Sequence, residues 1–281
     1  MIFAYLIALI AGTLSGITET LNKNITEKRY SVFSYAFIQW CGALILYAVP
    51  FFLWGALPKQ ITAYIYLGIV ITIVFLGNIS LIKAYKTEDI SNINILSQVS
   101  LIIAFVTGVV FLHETVNIHK ILGIIFIIIG IIVIFYEGKK IQFTTAYLLS
   151  LIAGISFGLT AYFNKKALYY FNPVSLLFIY NLCETILLLF LPKTLQDVKP
   201  ILQKYKWKIV VSRLAVFVGF YLLIWSIQQG SISVVNTNSQ TAFLLSTVII
   251  GILLLNEKKN IAKKLAGSLL CTFGIILLNF F

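Results

Sequence analysis

The sequence predicts an all-α membrane protein with ten transmembrane helices in two inverted five-helix repeats. Three observations predict this fold class: the composition, the spacing of the charged residues and an internal repeat. Of the 281 residues, 60% are hydrophobic and 11% are charged, and the mean hydropathy is +1.00. Soluble globular domains carry about 25% charged residues, so a soluble protein is excluded. The hydrophobic residues suffice for about eight to ten spans of roughly 17–20 residues each.

Stretches without charge mark the spans, because a charged side chain at bilayer depth costs about 3 kcal/mol. The stretch 214–256 is 43 residues long, about twice one span, and the polar segment 228–231 divides it. No predicted loop exceeds about 16 residues, which leaves no room for a soluble catalytic domain. The ten predicted spans are roughly residues 2–22, 31–54, 62–83, 91–112, 118–136, 144–166, 174–191, 208–228, 231–255 and 264–281.

The two halves of the chain are predicted to be copies of one five-span unit. At an offset of 142 residues, segment 5–24 matches segment 147–166 at ten of twenty positions, and the register continues for about 90 residues. The first repeat therefore covers residues 1–140 and the second covers 141–281. Because each repeat has an odd number of spans, the second enters the membrane from the opposite face, and the repeats are inverted.

The basic residues are distributed unevenly between the two predicted ends of the bundle. Sixteen of the 21 lie in loops that follow odd-numbered spans, and four lie in the other loops. The positive-inside rule assigns the first group to the cytoplasm and both chain termini to the outside. Short basic clusters between apolar runs are typical of membrane-protein loops, so the net charge of +12 does not indicate a nucleic-acid surface.

The corners between the fourth and fifth spans of each half carry the most specific motif. In segment 106–134, a span ends in an aliphatic run and a glutamate, and a short loop leads to a span with spaced glycines; segment 249–278 repeats this pattern. Together with ten apolar spans in two repeats, these motifs resemble the EamA-type branch of the drug/metabolite transporter superfamily over essentially the whole chain. The resemblance implies transport of amino acids, their derivatives, nucleobases or xenobiotics, and termini inside the cell, in disagreement with the basic-loop count. Such proteins often carry a proline where this sequence has Leu101 and Leu244, which removes the sequence basis for helix unwinding there.

Polar residues form one stripe along the fourth span of each half. Asn94 and Gln98 share one helical face, and the repeat places Asn236 and Gln240 on the matching face of the ninth span. Amides that faced lipid would have no hydrogen-bond partner, so these stripes face protein or a water-filled cavity. We expect them to line the substrate pathway, and hydrogen bonding between helices is the alternative. The other residues expected along this pathway are Trp225, Gln229, Tyr162 and Trp40.

Glu19 and Glu184 are the acidic residues predicted within spans. Glu184 lies about midway along the seventh span, where a carboxylate is a candidate proton or cation site, although Arg213 could neutralise it instead. Glu19 is predicted in the last turn of the first span, so it is either a second such site or an interfacial partner of Lys23.

Pairs of glycines four residues apart lie in the first span of each half. Gly12 and Gly16 form one pair, and Gly154 and Gly158 form the other. Small residues at this spacing let two helices approach closely, so these positions predict helix packing. A helix that rocks against its neighbour would also need such a surface.

No cofactor, metal ion or catalytic site is predicted. Cys41, Cys183 and Cys271 lie in apolar runs without the spacing of metal ligands, and His113 and His119 lie at a loop. The sequence carries no nucleotide-binding or nucleophile motif, which disfavours an ATP-driven pump and an enzyme.

The predicted function is therefore transport. We expect an integral, multi-pass protein of the cell membrane that moves a small organic metabolite by alternating access, by uniport, exchange or proton coupling. Its expected partners are that solute and membrane lipid, without nucleic acid, and a monomer is compatible with the sequence. Two alternatives remain open at this point: a flippase for lipid-linked sugars, which predicts a lateral opening between helices, and a membrane scaffold, which predicts a closed, dry bundle.

Overall fold

The computed structural model describes residues 2–26, 29–112, 116–137, 140–141, 144–229, 232–256 and 260–279. A short antiparallel pair of strands, β1 (Tyr136–Glu137) and β2 (Lys140–Ile141), joins the two halves of the chain. The described residues otherwise form eleven helices: α1 (Ile2–Ile25), α2 (Val32–Trp54), α3 (Ile61–Tyr85), α4 (Ile90–Leu96), α5 (Val99–Leu112), α6 (Ile118–Phe135), α7 (Thr145–Ala167), α8 (Pro173–Leu189), α9 (Val198–Gln229), α10 (Ile232–Leu254) and α11 (Ile261–Asn279).

The helices have the length and composition of membrane spans. Within the described residues, seven helical stretches are long and apolar enough to cross a bilayer: α1, α2, α3, α7, α9, α10 and the stretch Ile90–Phe111, which α4 and α5 form together. Both α6 and α8 contain apolar helical segments that are shorter. The predicted helical, multi-pass membrane protein is confirmed, whereas the count of ten spans stays a prediction.

The start of α9 differs from the prediction. This helix begins at Val198, ten residues before the predicted boundary, and Tyr205 inside it has non-helical backbone angles (φ −117°, ψ 19°). The segment before this kink is amphipathic: Ile201 and Tyr205 are buried in an apolar cluster with Tyr35 and Ile38. Charge-free stretches cannot reveal such a segment, because exposed lysines alternate with its buried residues.

The two halves pack on each other reciprocally. Helix α1 packs on α9 and α10 of the second half, and α7 packs on α3 and α5 of the first. The second helices of the halves, α2 and α8, contact each other, and so do the last helices, α6 and α11. Each contact therefore has its counterpart with the halves exchanged, which is the pattern of an approximate two-fold axis.

Glycines allow the closest of these contacts. A Cβ atom added to Gly12 on α1 would collide with the carbonyl oxygen of Ser239 on α10, and one on Gly154 of α7 would lie 2.7 Å from the carbonyl oxygen of Ser97. These two contacts are equivalent at the repeat offset of 142 residues. Gly16 and Gly158 pack in the same way one turn further along, against α10 and α5.

Substitution of Gly12 tests this packing. Gly12→Ala is expected to lower the free energy of unfolding by about 1–3 kcal/mol, because the backbone carbonyl of Ser239 cannot rotate away from the added methyl group. Gly68→Ala on α3 is the matched control, since a Cβ atom there meets nothing within 4 Å. Because alanine has a higher helix propensity than glycine, Gly68→Ala should stabilise the protein by up to about 1 kcal/mol. Thermal unfolding of the purified variants measures both effects, and equal midpoints for the two variants would contradict the assignment.

Candidate functional site

A polar cavity lies among five of the helices. Its volume is about 70 Å³, enough for several water molecules or part of a small solute. Helices α1, α2 and α3 of the first half and α8 and α9 of the second half enclose it. The lining residues are Glu19, Asn22, Gln39, Trp40, Ala43, Tyr47, Asn78, Leu177, Tyr180, Asn181, Arg213, Val216 and Phe220.

Arg213 on α9 is the positive charge of the cavity. Its Nη2 atom donates to Asn22 Oδ1 at 3.0 Å and to Ser212 Oγ at 2.7 Å, and its Nη1 atom donates to the carbonyl oxygen of Gln39 at 3.3 Å. Gly42 on α2 makes room for the arginine stem, because a Cβ atom there would lie 2.9 Å from Arg213 Cγ. The guanidinium is therefore buried, but it is held by neutral oxygen atoms of both halves.

Glu19 on α1 is the negative charge of the cavity. Helix α1 continues to Ile25, so Glu19 does not lie in its last turn, as the sequence had predicted, but deeper in the bundle. The carboxylate interacts electrostatically with Arg213, and the Tyr85 and Asn22 side chains are its polar neighbours. Lys23, its expected partner, donates to the backbone carbonyl oxygens of Tyr85 and Glu88.

Tyr85 connects this site to a break in the helix that follows. Its hydroxyl donates to Asn94 Oδ1 on α4 at 2.9 Å. The backbone carbonyl oxygen of Asn94 accepts hydrogen bonds from Ser97 Oγ at 2.9 Å and from Gln98 Nε2 at 3.0 Å. The backbone N–H of Gln98 donates instead to the carbonyl oxygen of Ile95. Side-chain donors thus replace the backbone donor that would continue the helix, and α4 ends at Leu96. The predicted fourth span is accordingly two helices, although position 101 is a leucine.

The predicted pathway residues do not all meet at this cavity. Trp40 and Glu19 line it, whereas the Asn94, Gln98, Asn236 and Gln240 stripes are not among its lining residues. Asn94 and Gln98 are fully buried, and Asn94 Nδ2 and Gln98 Oε1 have no hydrogen-bond partner among the residues described.

The other predicted residues lie further away. Trp225 makes an edge contact with Phe3, with a centroid distance of 6.4 Å, and Gln229 is exposed at the end of α9. Tyr162 on α7 packs against Phe111 at a centroid distance of 5.4 Å. Glu184 on α8 is fully buried one turn after Tyr180, which lines the cavity. Arg213 interacts with Glu19 and Tyr35, and neutralisation of Glu184 by Arg213 stays a prediction.

Sequence reasoning missed Asn22, Gln39, Asn78 and Asn181. A signal was present for two of them, because Gln39 and Asn181 are separated by the repeat offset of 142 residues, and both are amides within apolar spans. They lie on α2 and α8, the helices that meet across the approximate two-fold axis, so the cavity is close to this axis.

Metal and disulfide chemistry have no site in the described part of the chain. Cys41, Cys183 and Cys271 are free thiols. No group of three or more His, Cys, Asp or Glu side chains among the described residues could hold a metal ion. The cavity is thus a set of hydrogen-bonding, charged and aromatic groups, which can bind a polar organic solute.

Two halves that pack reciprocally, apolar helices of membrane length and a charged cavity between the halves define an integral, multi-pass membrane protein of the transporter class. The sequence model of the EamA-like transporter family matches residues 2–136 and 144–280, one match in each half. The chain belongs to this family, and the resemblance noted in the sequence is confirmed. A solved structure titled "Crystal structure of protein" shares the fold, with a TM-score of 0.70, 14% identity and coverage of 98% of this chain and 96% of that one. None of the curated proteins compared with the chain matches it.

Proposed function

We propose that this protein moves a small polar organic solute across the cell membrane by alternating access, and that the cavity around Glu19 and Arg213 is its binding site. The observation that carries the proposal is a pair of opposite charges among apolar helices, the buried Arg213 and the half-buried Glu19, one from each half of the chain. Ionisable groups at membrane depth are costly and mark substrate or ion pathways.

The position of the cavity supports a rocking mechanism. Its walls come from both halves, and the halves are related by an approximate two-fold axis. With five spans in each half, the halves are inverted copies, and moving one against the other changes the end of the bundle at which the cavity opens. The two ends of a bound solute would then contact groups that move with different halves.

The lining residues favour a solute with both charges or with one positive charge. Glu19 can receive an ammonium group, Arg213 can receive a carboxylate, and the Trp40 and Phe220 rings offer apolar faces. Amino acids and amines fit this set better than polyanions, which would need several basic groups. The polar cavity also supports transport over a scaffold role, because a scaffold needs no such space.

Filling the cavity tests the proposal. Ala43→Leu places additional methyl groups in a space of about 70 Å³, so solute binding and uptake should be lost while the fold is retained. Ala266→Leu is the matched control, because this residue is exposed on α11, away from the cavity. A thermal-shift screen of amino acids, amines and nucleobases identifies ligands, since a ligand that binds the native state raises its apparent stability. Uptake into proteoliposomes then compares the variants.

Equal uptake by wild type and Ala43→Leu would contradict the cavity as binding site. No saturable uptake of any soluble solute by the wild-type protein, combined with transfer of a lipid-linked sugar between leaflets, would replace transport by the flippase function.

A further inference from the structure

Glu184 is a carboxyl group inside the bundle without a partner of opposite charge. It is on α8, its side chain is 0% exposed, and neither of its oxygens accepts a hydrogen bond of good geometry from any residue that the structure describes. An ionised carboxylate in such a place costs several kcal/mol. The neutral, protonated form is the one that these surroundings accommodate.

The groups that face Glu184 supply no positive charge to pair with its carboxylate. On its own helix, the titratable neighbours are Tyr180 and Cys183. Helices α2, α3 and α9 pack against α8, and the buried charge among them, Arg213, interacts with Glu19 and Tyr35 instead. From α2 and α3, Trp40 and Asn78 contact Tyr180 and carry no charge.

Tyr180 adjoins both the cavity and Glu184. Its side chain is one of the cavity walls, and it interacts with Glu184 one helical turn further along. Trp40 and Asn78, which also line the cavity, interact with the same tyrosine side chain. Once side-chain rotation brings the Tyr180 hydroxyl within hydrogen-bond distance of Glu184, an excess proton on a cavity water can pass to the phenol oxygen while the phenol proton passes to the Glu184 carboxylate, which leaves neutral water, neutral Tyr180 and protonated Glu184.

We infer that Glu184 is a proton-binding site that exchanges its proton with the cavity through the Tyr180 hydroxyl. Its coupling to solute movement rests on the proposed function, whereas proton binding does not. Loading and release of this proton would change the charge next to the cavity as the halves move.

Infrared spectroscopy of the purified protein in lipid nanodiscs tests the proton site without any solute. The wild-type protein should show the C=O stretch of a protonated carboxylic acid near neutral pH, and Glu184→Gln should lose this band. Glu88→Gln is the matched control, because Glu88 lies between α3 and α4, where its Oε1 accepts from Asn92 Nδ2 at 3.2 Å. Persistence of the band in Glu184→Gln would overturn the inference, provided that thermal unfolding shows a folded variant. Glu184→Asp, which keeps the carboxyl group, should retain a band.

The route through Tyr180 is tested by exchange of this proton for deuterium. Tyr180→Phe should keep the protonated carboxyl band but slow its shift in heavy water by at least about tenfold, because a positioned proton carrier is lost. Tyr221→Phe removes an exposed hydroxyl elsewhere and should leave the exchange rate unchanged. Equal rates in wild type and Tyr180→Phe would overturn the route. If the protein takes up solute and the band is unchanged in Glu184→Gln, the transport proposal stands and the proton site is rejected. If the band is lost in Glu184→Gln but the protein takes up no solute, the proton site stands and the transport proposal is rejected.

Discussion

Arg213→Met is expected to abolish solute uptake and to lower the free energy of unfolding by about 3–5 kcal/mol. The guanidinium donates to Asn22, Ser212 and the Gln39 carbonyl, and it is the positive charge opposite Glu19. Its removal leaves the half-buried Glu19 carboxylate without its counter-charge. Loss of one buried charged partner should weaken the binding free energy of the solute by about 2–5 kcal/mol, which lowers its affinity more than tenfold.

Two further variants separate stability from binding. In the double variant Glu19→Gln, Arg213→Met, both charges are gone, so most of the lost stability should return while uptake stays absent. Arg213→Lys keeps the charge but not the planar fork that reaches Asn22 and Gln39 together, so uptake should be reduced rather than restored. Thermal unfolding and proteoliposome uptake measure the two quantities. Recovery of uptake in the double variant would mean that the charges only hold the helices together.

The sequence predicted the helices well because charge is costly in a bilayer. The predicted ends of α2 and α3, for example, lie within about two residues of those observed. What it missed depends on contacts between distant segments. Ser97 and Gln98 end α4, yet their repeat partners Ser239 and Gln240 lie inside the continuous helix α10.

The neighbouring helix makes a contact with α4 that has no counterpart at α10. On α7, Ser150 Oγ donates to the carbonyl oxygen of Ile93 in α4 at 2.6 Å, in addition to the Ser97 N–H that this oxygen already accepts at 2.9 Å. The equivalent residue of the first half is Ala8 on α1, which has no donor to offer α10. The same Asn, Ser and Gln therefore lie at a helix break in one half and within a continuous helix in the other, next to different neighbours.

The site was predicted less well than the fold for a similar reason. Periodicity shows which residues share a face of one helix, but not which neighbour that face meets. The Asn94 and Gln98 stripe is buried, in agreement with the argument about unsatisfied amides, but it lies beyond Tyr85 rather than on the cavity wall. Arg213 was recognised as a charge near a span, while its partners on α1 and α2 could be identified only from the fold.

Polar contacts between the halves are concentrated at one end of the bundle, where α1 and α3 end and α4 and α11 begin. There the backbone N–H of Ser31 donates to Asp197 Oδ2 at 2.6 Å, and Lys208 Nζ donates to Asn24 Oδ1 at 2.9 Å. Lys86 of the first half interacts electrostatically with the Asp197 carboxylate of the second; partial burial lowers the pKa of Lys86 from its ordinary value, and Asp197 opposes this shift. In the proposed alternating-access mechanism the halves separate at this end, and these contacts oppose that opening.

An ion pair also joins the halves at this end, between Lys264 Nζ on α11 and Asp89 Oδ2 before α4, at 2.8 Å. The lysine side chain is 2% exposed and the aspartate side chain is 35% exposed. Asp89→Asn should therefore weaken the closed arrangement by about 2–4 kcal/mol, because a buried ammonium loses this carboxylate. Asp89 makes no side-chain cap to α4, so the substitution leaves the start of that helix intact.

The expected result is a shift towards a conformation open at this end. A single cysteine at position 43, in the cavity and in a background without the three native cysteines, should react faster with a water-soluble thiol reagent in Asp89→Asn than in wild type. A shift of 1.4 kcal/mol corresponds to about tenfold in the open population. Glu88→Gln, in the same loop, should leave the labelling rate unchanged. The charge-exchanged variant Asp89→Lys, Lys264→Asp should return labelling towards the wild-type rate. If Asp89→Asn labels no faster than wild type, the ion pair does not hold this end closed. A contact that stabilises the closed conformation must shift the equilibrium between the closed and open conformations when it is removed.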